Sequence, residues 1–531
     1  MASPLTVETT IFPPRAATWE RLAPEAPSLG LMRTSLMATL LAAPLAFGAV
    51  QAWAWGAMAV VAFLLLLLWS IACVRQGGLR IFWSPLYVPA GFIFLLGMIQ
   101  FAGHLTMDPI AAREALLKLS TDLIFFFLAG QLFSAGPALA EGGQSAGTHS
   151  GAPRRTDILS APALRWTLIL YTFLLALFAI FQFFSSDGLI YWMVPGPGWT
   201  FGPYVNHNHY AGLMEMLIPL SVASALPALG KQSQAAIVGC LILIPIASLL
   251  LSGSRGGFLA LLVEVLLTAG LVVGCGPRRA PKLTALVGGA ALVAAALLFF
   301  WMAPRHVVAR LARIGDGTHP RDVELGNRLV AARDTLGILR DHRWLGAGLG
   351  SFETAFPRYQ SFPSDFLWDH AHNDYAEALA ETGLAGGAAI LGALGLFFWL
   401  AFRGVRSRKS AGHGVRDTGY GAPEFGPGVR VSRLGTSDFG PRTSDSFSRA
   451  PNPVSRIPNP GSAAYRPLPT AHLLRLGAAL GCCGFLVHSF ADFNFHIPAN
   501  AAWFAVCAAL ATRNGIRDTG HGIRYAVGRW Q

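Results

Sequence analysis

The sequence predicts an all-α polytopic membrane protein of about twelve transmembrane helices, with one large folded extracytoplasmic loop. Three observations predict it. The 531 residues are 53% hydrophobic and only 13% charged, about half the charged share of a soluble domain. Apolar runs long enough to cross a bilayer in helical form recur along the chain. Lys and Arg gather in alternate connections between those runs, as they do in cytoplasmic loops.

The expected spans lie near 34–50, 53–74, 82–101, 117–134, 163–184, 208–229, 234–252, 257–275, 283–302, 384–402, 472–490 and 496–512. Arg75 and Arg80, then Arg154, Arg155 and Arg165, then Lys231, then Arg278, Arg279 and Lys282 occupy alternate connections. Arg513, Arg517, Arg524 and Arg529 follow the last span. All fall on one side if both termini are cytoplasmic, with which an even number of spans agrees. Residues 1–33 lack a short basic start followed by an apolar core, so the first span is expected to act as an uncleaved signal. All six cysteines sit in apolar segments without CxxC spacing, so they read as small core residues and indicate neither disulfides nor zinc.

The expected organisation is a cytoplasmic segment over 1–33, helices one to nine over 34–302, an extracytoplasmic loop over 303–371 and a tenth span over 372–403. A basic, low-complexity cytoplasmic linker over 404–470, two spans over 471–512 and a cytoplasmic tail over 513–531 follow. The linker carries Arg, Gly, Ser, Pro and Thr without apolar periodicity. Nothing in it points to nucleic acid. In the loop, Leu325, Leu329, Ala332, Leu336 and Leu339 recur at helical steps, the mark of an amphipathic helix with Arg328 on its polar side. Gly346, Gly348 and Gly350 point to a tight turn. The aromatic residues Trp192, Trp199, Phe201 and Tyr204, with the series from Phe352 to Trp368, read mostly as an interfacial belt.

Titratable groups concentrate at the outer ends of the apolar runs. Asp369-His-Ala-His-Asn-Asp374 includes His370 and His372 and opens the tenth helix; Asn206-His-Asn-His209 opens the sixth; Arg255 lies in a Gly-rich bend between the seventh and eighth. A histidine can take a proton near neutral pH. Arginines near a glycine bend can grip a diphosphate. Plainer roles compete: Asn206, Asn208 or Asn373 as helix caps, Arg255 reaching to headgroups, Arg328 paired with Glu324 four residues earlier. No acidic pair with metal-ligand spacing accompanies these groups on the outer side. A metal-free, cofactor-free transfer from a lipid-diphosphate donor fits the inventory.

Several motifs carry a resemblance. They are Thr200-Phe-Gly202 with Asn206-His-Asn-His-Tyr-Ala-Gly212, Ser252-Gly-Ser-Arg-Gly-Gly257 and Asn327-Arg-Leu329. Trp344-Leu-Gly-Ala-Gly-Leu-Gly-Ser-Phe352 and His372-Asn-Asp-Tyr375 with Glu381-Thr-Gly-Leu384 complete the set. In that order, over roughly 195–405, they resemble the O-antigen ligase and polymerase family. The resemblance implies a GT-C type glycosyltransferase on the periplasmic face of the bacterial inner membrane, acting without a metal. Its donor would be a glycan on undecaprenyl diphosphate. Its acceptor would be lipid A–core in a ligase, another lipid-linked glycan in a polymerase, or a protein side chain in an oligosaccharyltransferase. By position His372 resembles the essential histidine and Arg255 and Arg328 the diphosphate-binding arginines; Asn206, Asn208 and Asn373 are further candidate donor contacts. The competing reading from another class is a transporter of lipid-linked sugars, which calls for charges buried at mid-membrane. Glu215 and Glu264 are among the few candidates for that.

Overall fold

A computed structural model describes residues 27–75, 81–133, 161–196, 199–228, 232–275, 289, 325–364, 367–407 and 470–513. Nearly all of the expected span at 283–302, the start of the loop at 303–324, residues 1–26 of the 1–33 segment, and nearly all of the 404–470 linker and the 513–531 tail lie outside the described residues. The helices are α1 (Pro27–Ala42), α2 (Ala52–Arg75), α3 (Tyr87–Ala102), α4 (Pro109–Leu132), α5 (Pro162–Ser185) and α6 (His207–Ala225). They continue with α7 (Gln232–Leu251), α8 (Arg255–Cys275), α9 (Leu325–Asp341), α10 (Asp374–Ser407), α11 (Thr470–His488) and α12 (Pro498–Thr512). Among the described residues, strand is confined to a hairpin of two-residue strands, Leu189–Ile190 against Val194–Pro195.

Among the described residues, α2, α4, α5, α10 up to Arg403, and α11 are long and apolar enough to cross a membrane. The protein is thus a helical, multi-pass membrane protein by composition and length. Helix α6 is buried around nearly its whole circumference, which marks an element in the interior of the bundle. It packs on α5, α7, α8 and α11, and α11 packs in turn on α8 and α12.

Helix α10 is broken at Gly383, whose φ is +64° and ψ −164°. The break frees backbone groups that must find partners. The preceding chain supplies them: Ala347 N–H donates to Ala380 O at 2.9 Å, Gly348 N–H to Glu381 O at 3.1 Å, and Leu384 N–H to Arg343 O at 2.8 Å. Gln100, 1% exposed on α3, joins the same seam. Its Nε2 donates to Glu381 O at 2.8 Å, and its Oε1 accepts from Leu349 N–H at 3.1 Å. The triple glycine is therefore more than a turn, because it lets the outer loop lie directly on a helix break. At Gly346 (φ +78°) a Cβ would stand 2.2 Å from the Glu381 carbonyl. Gly346→Ala should cost about 1–3 kcal/mol from the dihedral alone, with the clash added. Detergent-state thermal unfolding measures it, and a midpoint matching wild type would remove the seam from this account.

The described part of the loop is folded around its own core. Ala331 and Ile338 of α9, Phe352, Phe356, Trp368 and Ala371 cluster with Ala380 of α10. Phe352 stacks on Phe356 with centroids 4.8 Å apart. This corrects the belt reading: most of these aromatic rings are core, since a loop of this length must bury apolar surface of its own to stay ordered. Phe201 and Tyr204, each 1% exposed, are likewise interior. A second correction concerns α9. Leu329 and Leu336, on the expected apolar stripe, are 67% and 40% exposed, whereas Ala331, Thr335 and Ile338 are fully buried. Arg328 lies three, seven and ten residues before those three, so helical spacing puts it on the buried face.

Candidate functional site

Three connections converge. The stretch 367–373 enters α10, and Asn373 caps that helix: its Oδ1 accepts from Tyr375 N–H at 3.1 Å and Ala376 N–H at 3.0 Å. The connection between α11 and α12 lies against it, with Asp374 N–H donating to Ser489 O at 3.0 Å and Asn373 Nδ2 to Phe490 O at 3.0 Å. The start of α6 closes the third side, since Phe493 packs edge-on against His209 with centroids 4.6 Å apart.

Asp492 is the centre of this arrangement. It is fully buried. Its carboxylate faces Arg328 Nη1 at 3.4 Å, His372 Nδ1 at 3.5 Å and His209 Nε2 at 3.7 Å. Burial alone would raise this carboxyl, but the Arg328 guanidinium and the two imidazoles overcome it and hold Asp492 well below the usual carboxylate range. Arg328 also donates to Ala491 O at 3.2 Å, while its Nε is buried with no hydrogen-bond partner. The guanidinium is thus fixed on one side and has donors left for a ligand.

His372 is held in the left-handed region at φ +49°, a conformation uncommon for a non-glycine residue and a frequent mark of functional sites. Its ring stands edge-on to Trp368 and Phe493, with centroids 5.4 and 4.9 Å away. Nδ1 is buried and faces Asp492 at 3.5 Å without a hydrogen bond. A carboxylate beside an imidazole stabilises the imidazolium that forms when the ring takes a proton.

His370, two residues away, belongs to a different cluster. Its Nδ1 meets Glu377 Oε1 at 2.8 Å; His496 meets Glu377 Oε1 through Nε2 at 3.2 Å and Asp374 Oδ1 through Nδ1 at 3.1 Å. Burial would lower His496, but Glu377 and Asp374 on either side push it up to about 10. Geometry therefore separates the two histidines that the sequence left undivided: His372 shares Asp492 with Arg328, whereas His370 pairs with Glu377.

The other expected site residues divide. Asn206 caps α6, its Oδ1 accepting from Asn208 N–H at 2.9 Å, so it and Asn373 both serve as caps. Asn208 is buried at 5% exposure. Arg255 begins α8 and is exposed. Among the described residues its side chain makes no hydrogen bond or ion pair, so the structure does not bring it into contact with Asp492. The nearest tie is through its neighbour Gly256, where a Cβ would stand 2.2 Å from the ring of His488. His488 in turn bonds Glu215 at 2.7 Å. Sequence reading missed Asp492, Phe493 and His496. A signal was present: Asp492-Phe-Asn-Phe-His496 puts two titratable groups in a short connection between apolar helices.

The O-antigen ligase family model matches residues 240–408. Over that segment, about a third of the chain, the protein is similar to the O-antigen ligase family. No curated protein matches the chain. The O-antigen ligase segment holds Arg255, Arg328 and His372, whereas His209 and Asp492 lie outside it and reach the site through the fold. The family indicates a membrane enzyme of the glycosyltransferase or ligase kind, acting on a lipid-linked glycan and a glycan acceptor.

Proposed function

We propose that this protein moves a glycan from undecaprenyl diphosphate to an acceptor hydroxyl, as an O-antigen ligase does, on the periplasmic face of the bacterial inner membrane. The topology proposed with it has about twelve spans and both termini in the cytoplasm. The observation that carries the reading is the convergence of His372, Arg328 and His209 on the buried Asp492.

The acceptor O–H attacks the anomeric carbon of the donor sugar. His372 Nε2 takes the hydroxyl proton as the new C–O bond forms. The bond from that carbon to the diphosphate oxygen breaks, and undecaprenyl diphosphate leaves with the bonding pair. Arg328 binds the diphosphate through the donors it does not spend on Asp492 and Ala491, and stabilises the charge that grows there. Arg255, exposed at the head of α8, supplies the second cation. Asp492 stays ionised throughout, orienting both His372 and Arg328. The transfer step itself uses no metal. Lipid A–core is the acceptor in the ligase form of the proposal. A second lipid-linked glycan would make the protein a polymerase, and a protein hydroxyl an oligosaccharyltransferase.

Purified protein in detergent, given lipid-diphosphate-linked glycan and each acceptor class in the presence of EDTA, should label one of them. Arg328→Ala should lower the transfer rate about 10²–10³-fold, the usual effect of removing one preorganised charge-stabilising donor. Transfer by Arg328→Ala at the wild-type rate would remove this arginine from the mechanism. If no acceptor is labelled and proteoliposomes carry lipid-linked sugar across instead, the protein is a transporter. The buried Glu215, Glu264 and His488 are the groups such a reading would use.

A further inference from the structure

We infer that His370, Glu377 and His496 form a binding site for a divalent transition cation of the zinc class, next to the proposed transfer site and separate from it. The three candidate ligand atoms all lie within 4.8 Å of one another. They are His370 Nδ1, Glu377 Oε1 and His496 Nε2, with Oε1 common to the two contacts of 2.8 and 3.2 Å. Two imidazoles and one carboxylate are a donor set that such cations take with positions left open for water or a further ligand. Ligand atoms each about 2.0–2.2 Å from a tetrahedral cation stand roughly 3.3–3.5 Å apart, so small shifts seat the ion.

The surroundings hold the ligands as a metal site needs them held. Asp374 Oδ1 lies 3.1 Å from His496 Nδ1, which keeps the proton there and leaves Nε2 as the ligand atom, the usual support behind a metal-bound imidazole. Ala371 N–H donates to Glu377 Oε2 at 2.8 Å, so the carboxylate offers Oε1 alone. Phe493 stacks on His370 with centroids 4.3 Å apart and fixes the plane of that ring. Glu377 is buried, while the His370 and His496 side chains are 24% and 31% exposed, so an ion can enter past the histidines.

The ion would tie the entry to α10, which carries His372, to the connection that carries Asp492. Its part is to clamp the two segments, and it touches no reacting atom.

The test uses tag-free full-length protein in detergent, stripped with a chelator and dialysed against Zn²⁺. Wild type should retain one zinc per chain by elemental analysis. His370→Asn and His496→Asn should each weaken binding by at least about 100-fold, and Asp374→Asn, which changes the support behind His496 and no ligand atom, by about 10–100-fold. X-ray absorption at the zinc edge of the wild type reads the ligands without a variant: two imidazoles with oxygen are expected. No retained zinc, an undiminished stoichiometry in both histidine variants, or a shell of sulfur or of imidazole alone would each overturn the site. These readouts need no glycan transfer, so failure of the transferase reading and failure of the metal site are distinguishable.

Discussion

Replacing His372 should abolish most of the transfer, lowering the rate constant by about 10²–10⁴, the range that a positioned general base contributes. The fall should appear in kcat, with the KM for donor little changed, because Arg328 and Arg255 would still hold the diphosphate. Backbone geometry governs the choice of variant. His372 sits at φ +49°, where alanine is strained but asparagine is comfortable. His372→Asn therefore keeps the turn and removes the base, and His372→Ala beside it measures the added strain. Steady-state transfer over a range of donor concentrations is the decisive assay, run on fractions that elute and unfold like wild type. His370→Asn is the comparison: its ring belongs to the Glu377 cluster, so it should slow transfer far less than His372→Asn does. Equal losses in the two would mean that the distinction drawn from the Asp492 contacts is wrong.

Much of this fold was legible in the sequence because hydropathy reports directly on burial in lipid. Apolar runs such as 53–74 and 163–184 became α2 and α5 almost to the residue. The outer loop was less legible, for two physical reasons. Helix α9 buries small residues, Ala331 and Thr335, that an apolar-stripe search passes over, so the leucines marked the wrong face. An aromatic ring reads the same in a membrane belt as in a compact core, so Phe352, Phe356 and Trp368 could not be placed before their contacts were known. Within the site, His372 and Arg328 were marked by motif and position. Asp492 was not, because a single carboxylate in a short connection has no local pattern. Its meaning comes from residues 120 and 164 positions away that fold onto it.

Asp492→Asn should be the second severe lesion, and its pH dependence separates an ion pair from a neutral contact. Asparagine keeps the shape but brings an amide to a place where three groups present donors or positive charge. Transfer should fall by about 10²–10⁴, as when an aspartate behind a catalytic imidazole is made an amide. Stability should fall by about 3–5 kcal/mol, the cost of leaving one member of a buried pair without its partner. The sign of the pH effect follows from the depressed carboxyl. In the unfolded chain this group titrates near 3.8, and in the folded protein well below that. Its contribution is therefore complete above about pH 4 and disappears only as pH drops through the folded value. The stability gap between wild type and Asp492→Asn, read by chemical unfolding in detergent, should not shrink from pH 7 down to about 4 and should narrow only below it. A gap that already shrinks between pH 7 and 5 would show the carboxyl taking a proton there. Asp492 could then not be the fixed negative charge that orients His372 and Arg328, and the site would need a different centre.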